Sequence, residues 1–229
     1  FVYDSYSCRI NKGTHRAINR FRSLARKASR NDTKTVWVLK CDIRKFFANI
    51  NHEVLKNILR RHINDDDIMW LLENVIDSFH TVDDLSIGLP LGNVTSQIFI
   101  NIYMNELDQF MKRKVKVRYF VRYADDFVIL HTNKNYLINL IPKISEFLEK
   151  DLKLSLNPNK VSIKTLSSGV DFLGWVHFSH YRVLRTAAKR RMFKKLNKKH
   201  TRETMASYMG LLKHGNTYKL MEIIKNPSV

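Results

Sequence analysis

Two adjacent carboxylates, Asp125 and Asp126, interrupt the apolar stretch from Arg118 to Leu130, RYFVRYADDFVIL. Tyr119 to Val121 are apolar between Arg118 and Arg122, and Phe127 to Leu130 are four apolar residues in a row, so both arms read as strands with Ala124-Asp125-Asp126 at the tip. Two-residue hairpin turns usually carry glycine, as Asn-Gly or Asp-Gly, and this one has none. Paired carboxylates between buried strands are costly unless a cation neutralises them. A third carboxylate, Asp42, ends another hydrophobic strand in CDIRKFFANI. If the strands are sheet neighbours, the three acids meet at one edge with no lysine forced between them. Hard oxygen ligands so clustered suit Mg²⁺, and two such ions can stabilise the attacking and the leaving oxygen of a phosphoryl transfer. Each residue also has an ordinary reading: Asp42 as a cap or turn residue, Asp125-Asp126 as a solvated hairpin tip.

The elements that must position these acids follow from periodicity. Arg9 to Arg30 has no acid, and Ala17, Phe21, Leu24 and Ala28 fall at helical spacing, predicting a loop followed by a basic amphipathic helix. Thr35 to Cys41 reads as the strand that delivers Asp42. Helices are expected at about Glu53–His62 and Asp65–Phe79, with Asp65 as a cap. Ser86 to Asn93, SIGLPLGN, is a loop whose two glycines and proline lead into a long helix from Thr95 to about Met111. Such a loop lets backbone approach a ligand, and a helix N-terminus favours phosphate, although alone this is a weak signal. After the hairpin come a helix at about Asn135–Lys150, short strands near Leu154, Val161–Lys164 and Val170–Phe178, and a basic helical C-terminal third beginning near Arg182–Ala188. The order predicts an α+β fold with helices backing an antiparallel sheet.

Bulk composition narrows the function. The 229 residues carry 40 Lys+Arg against 21 Asp+Glu, a formal net charge of +19, with 44% hydrophobic residues. Such an excess calls for a polyanion, nucleic acid before an anionic membrane surface. No apolar run approaches the roughly 18 residues of a membrane span. Cys8 and Cys41 stand without a CxxC or Cys/His cluster and read as reduced thiols of an intracellular, cytoplasmic protein with no structural zinc. Arg182 to Arg202 holds ten Lys/Arg, Lys199 among them, and no acid; Leu184, Ala188 and Leu196 fall at helical spacing, so one face packs and the rest faces solvent or a phosphate backbone.

DIRKFF, GLPLGNVTSQIFIN, YADD, NPNK and FLGW occur in the order of the palm motifs of reverse transcriptases, and SYSCRINKGTHRA from Ser5 resembles a fingers motif of that family. The resemblance implies a right-hand polymerase palm: partial fingers at 1–34, a palm at 35–165 with interleaved fingers helices at about 52–90, a primer-grip hairpin at 166–184 and a helical basic thumb at 185–229. It implies an RNA-directed DNA polymerase using RNA template, DNA or RNA primer and dNTPs with two Mg²⁺ ions, or Mn²⁺ in their place. Asp42 and Asp125 would hold both metals, with Asp126 assisting and the Ile43 carbonyl as a further ligand. Lys160 resembles the basic residue that meets the leaving pyrophosphate. Phe47 resembles the gate beneath the incoming sugar, while Phe46 packs, since adjacent strand residues face opposite ways. Leu91, Gly92 and Gln97 would line the nucleotide; Lys12, Arg16, Arg190, Lys194 and Lys198 would meet nucleic acid. Trp175, in the hairpin gripping the primer, would do so as well, or else be ordinary core.

Group II intron enzymes usually show QGxxxSP where this chain has Leu91-Gly92-Asn93-Val94-Thr95-Ser96-Gln97. The form with Leu91 and Gln97 resembles the reverse transcriptases of bacterial or phage diversity-generating retroelements, as do NIYMNELDQF and SYMGLLKHGNTYKL. That subtype implies low fidelity, chiefly opposite template adenine, and a small basic accessory protein. Group II intron, retron and abortive-infection enzymes are the alternatives, and a polymerase-like RNA-binding scaffold is another. In one respect the pattern departs: the family's earlier fingers segment, whose Lys and Arg hold the triphosphate, does not fit before Phe1. Weakened nucleotide binding by this chain is the expectation.

Overall fold

A computed structural model describes residues 1–81, 84–198 and 201–225. Its centre is a four-stranded antiparallel sheet in the order β2-β3-β1-β4, built from β1 (Trp37–Cys41), β2 (Phe120–Tyr123), β3 (Asp126–His131) and β4 (Ser162–Thr165). Alternation along β1 and β3 sorts the core into two layers. Leu39, Cys41, Phe127 and Ile129 face one cluster, and Val38, Val128 and Leu130 face the other.

The first layer is made by α2 (His52–Arg60), α3 (Asp66–Asp77), α4 (Val94–Gln109) and α5 (Lys134–Leu152). The second is made by α1 (Thr14–Ala28), which lays Ala17, Phe21, Leu24 and Ala28 on the sheet. Helices therefore cover both faces, and that explains four consecutive apolar residues in β3, where a one-sided sheet would alternate. Asp65 caps α3 as expected, accepting from the Ile68 N–H at 2.9 Å. α4 starts one residue earlier than expected and passes into a π-helical turn at Phe110–Lys114.

Near Leu154 there is a single bridge, Ile43 with Leu156, in place of the expected strand. Val170–Phe178 resolves into β5 (Val170–Phe172) and β6 (Trp175–His177), which join β7 (Arg182–Leu184) in a second antiparallel sheet. α6 (Thr186–Lys198), α7 (Arg202–Leu212) and α8 (Tyr218–Lys225) close over it. Their shared core holds Trp175, Leu184, Met192, Leu196, Leu212 and Ile224. Trp175 is 1% exposed, which corrects the expectation that its ring grips nucleic acid: the indole is the anchor of this small core. The chain passes so close at Gly215 that a Cβ there would lie 2.0 Å from the Trp175 ring.

Candidate active site

Sheet register brings the acids together. β1 and β3 pair Cys41 with Phe127, so the next position along each strand sets Asp42 beside Asp126. β2 and β3 pair Tyr123 with Asp126, leaving Ala124 and Asp125 as the two-residue tip. Ala124 takes the left-handed conformation, φ 53°, that glycine fills in most such turns.

Burial gives these carboxylates their character. Asp126 is pushed up to about 7, first by burial and then by Asp42 and Asp125, against the opposing pull of Lys40. Asp125 is also raised, chiefly by burial, with repulsion from Asp42 adding to it. The Oδ1 atom of Asp126 is buried and without a hydrogen-bond partner. Such a set, oxygen only and partly desolvated, is short of positive charge.

The sequence expectation of no lysine among the acids is corrected here. Lys160 Nζ donates to both oxygens of Asp42, at 3.0 and 2.9 Å, and Lys40 Nζ stands 3.5 Å from Asp126 Oδ2. The NPNK turn explains the first contact. Asn157 N–H donates to the Asp42 carbonyl at 2.8 Å, and its side chain caps the short turn Pro158–Lys160. Lys160 is thus tethered through backbone to the carboxylate it covers. The second was legible only as a strand residue, since Lys40 precedes Cys41 on the face turned toward Asp171, whose carbonyl it also bonds.

Among the described residues, no three His, Cys, Asp or Glu side chains are gathered as closely as the ligands of one ion. The donor chemistry nevertheless suits Mg²⁺: three carboxylates share an edge, one oxygen is orphaned, and Lys160 is more than half exposed and free to swing aside. Asp42, Asp125 and Asp126 would hold the ion. Both bonds of the Ile43–Leu156 bridge are made by neighbours, Arg44 N–H to Ser155 and Asn157 N–H to Asp42, so the bridge does not use the Ile43 carbonyl.

Phe47 is half-buried and edge-on to buried Phe46, with ring centroids 5.7 Å apart. Phe46 packs in the core as expected, but the two residues lie in a 3₁₀ turn, Phe46–Asn49, and not in a strand. That turn also carries the glycine-proline loop, because Leu89 N–H donates to the Phe47 carbonyl and Gly88 N–H to that of Ile50, both at 2.8 Å. Beyond it Leu91 is 78% exposed and Gly92 takes φ 96° with open space around it. Gln97, in the first turns of α4, is half-buried.

The basic residues fall into two groups. Arg190, Lys194 and Lys198 are exposed at four-residue spacing along α6, opposite buried Met192 and Leu196. Arg182, at the head of the same run, is buried and bonds the His214 carbonyl and Asn19, so it is structural and not part of a solvent face. Lys199 lies outside the described residues. Lys12 and Arg16 line a cavity of about 540 Å³ with Tyr3, Tyr6 and Arg20. Lys12 Nζ sits 3.6 Å above the Tyr3 ring, and burial lowers its pKa.

A palm sheet with acids at one edge and helices on both faces defines the class, a right-hand polymerase fold. Solved structures agree: apo telomerase of Candida tropicalis, truncated from the C-terminal domain, superposes with a TM-score of 0.61 at 15% identity, covering 80% of this chain and 41% of that one. Telomerase of the same yeast in complex with a TWJ fragment of telomeric RNA gives 0.55 at 18%, covering 76% and 32%. The sequence model described as reverse transcriptase (RNA-dependent DNA polymerase) matches residues 1–177, and the chain belongs to that family. Among curated relatives, the putative COX1/OXI3 intron 2 protein of Saccharomyces cerevisiae is 27% identical, covering 61% of this chain and 23% of that protein. Protein YkfC of Escherichia coli is 29% identical over 74% of this chain and 54% of its own length. The chain thus spans about a quarter to a half of these relatives.

Proposed function

We propose that this chain is the palm-centred portion of an RNA-directed DNA polymerase that extends a primer on an RNA template. The observation that carries the reading is the meeting of Asp42, Asp125 and Asp126 at one sheet edge inside a strongly basic chain of the reverse transcriptase family. Bound Mg²⁺ would supply charge stabilisation to a primer 3′ oxygen and a leaving pyrophosphate. On this reading Lys160 would meet the pyrophosphate, Phe47 and the Leu91–Gln97 stretch would bound the nucleotide, and the α6 cations would track the template–primer backbone. Primer extension on poly(rA)/oligo(dT) with Mg²⁺ tests this. Asp125→Ala abolishes extension, and equal activity in the two proteins overturns the assignment.

Two subtypes compete. Similarity to intron proteins supports an intron-type enzyme. Leu91, which stands exposed where a hydrogen-bonding Gln would check the nascent pair, supports an error-prone retroelement enzyme that works with a small basic accessory protein. Leu91→Gln separates them: the retroelement reading expects fewer errors opposite template adenine, and an unchanged error spectrum removes it.

A further inference from the structure

The tip that carries Asp125 is held by a group the sequence did not single out. Arg122 lies on β2 three residues before Asp125, and its side chain and that of Asp108 on α4 are both 0% exposed. Nε donates to Asp108 Oδ1 at 2.7 Å and Nη2 to Oδ2 at 2.5 Å, a two-pronged fork. Nη2 also donates to Ser5 Oγ at 3.0 Å, and Nη1 donates to the carbonyl of Ala124 at 2.9 Å. Main-chain bonds fasten the same residue: Arg122 N–H to the Asp4 carbonyl and Tyr6 N–H to the Arg122 carbonyl, each 2.9 Å. One guanidinium therefore links the N-terminal segment, α4 and the acidic turn.

Stability alone is a poor account of this arrangement, because a buried ion pair is often no better than apolar residues of equal volume. What the pair does, and apolar side chains could not, is bond the carbonyl of Ala124, the residue held at φ 53°. A left-handed alanine persists when its surroundings over-determine it. α4 also carries Gln97 some eleven residues before Asp108, about 16 Å along a rigid rod. The fork thus references the acidic turn to the helix that bears the nucleotide-side loop.

We infer that Arg122, locked by Asp108, is a positioning residue for Asp125: it fixes the backbone of Ala124 and so the place of the carboxylate relative to α4. The inference rests on Asp125 being a polymerase carboxylate, but the clamp itself can be read without activity. Lysine in place of Arg122 keeps the charge and loses the planar fork.

The test compares wild type, Arg122→Lys and Asp108→Asn by primer-extension kinetics and by amide hydrogen exchange. With the clamp real, Arg122→Lys lowers kcat about tenfold or more while KM for dNTP changes little, as expected for a misplaced group. Amides of residues 123–126 exchange about tenfold faster, with the β1–β4 ladder unaltered. Asp108→Asn, nearly the same shape, shifts both readouts in the same direction and serves if Arg122→Lys fails to fold. Wild-type kcat together with wild-type exchange at 123–126 overturns the proposal, and so does an exchange increase spread evenly over the whole sheet. Should wild type extend primer no better than Asp125→Ala, the polymerase reading falls, while exchange at 123–126 still decides the clamp.

Discussion

Lys160 and Asp42 form the contact that a cation binding at the proposed site would have to displace. Both oxygens of that carboxylate are taken by one ammonium, and burial is already penalising the neighbouring negative charges. Lys160→Ala removes the competitor, so Mn²⁺ measured by EPR without nucleotide should bind several-fold more tightly, roughly three to ten times for an exposed lysine. Unchanged or weaker binding would show that Lys160 does not compete for the site. The thiols offer a second check. Burial, with Asp126 adding repulsion, pushes Cys41 up to about 12, whereas Cys8 is exposed. A thiol reagent at neutral pH should therefore label Cys8 in the native protein and reach Cys41 only after unfolding. The three acids were legible from residue type and strand pattern. Lys40, Arg122 and Asp108 were not, because a charged side chain among apolar neighbours gives no sign of whether it snorkels or pairs until its partner is brought in from a distant segment.

At the scale of elements, α6 and the sheet beneath it divide the work between contact and support. Replacing Arg190, Lys194 and Lys198 with alanine removes three exposed cations from one helical face. The slope of log binding constant against log salt for a template–primer duplex should shrink by about three. An unaltered slope would place the phosphate contacts elsewhere. Gly215→Ala forces a methyl against the Trp175 ring and should cost about 1–3 kcal/mol in denaturant unfolding while leaving the β1–β3 ladder in place. Helices with a cap and a clear apolar stripe, such as α3 behind Asp65, were readable to within a few residues. The π turn at Phe110–Lys114 left no local signature, and the burial of Trp175 depends on α6 to α8 folding back over β6.

Across the whole molecule, stability should depend on pH through His177. Its imidazole, 2% exposed, is pushed down to about 4 by burial, with Arg182 and Arg22 acting in the same direction and a bond to the Phe172 carbonyl opposing them. Unfolded, it titrates near 6.5. Between these values the unfolded chain binds a proton that the folded chain refuses, so stability falls as pH drops through the window and this contribution is flat on either side. The urea midpoint of wild type should decline across that range more than that of His177→Gln, and parallel curves would assign the dependence to other groups. The fold class was legible because each element's period agreed with its place, but helices on both faces of the sheet emerged only from the two-sided burial of β1 and β3.

The pairing of Cys41 with Phe127 has a consequence for quality control of the folded product. β1 is bonded on both sides, by β3 and by β4, and Asp42 rides on its end. A slip of one residue against β3 would turn every β1 side chain to the opposite layer. A slip of two would restore the faces but carry Asp42 about 7 Å along the sheet, out of reach of Asp126. Under the proposed function, activity per folded molecule would count the chains whose strands have found their correct alignment, which a circular dichroism spectrum, reading only strand and helix content, would not report.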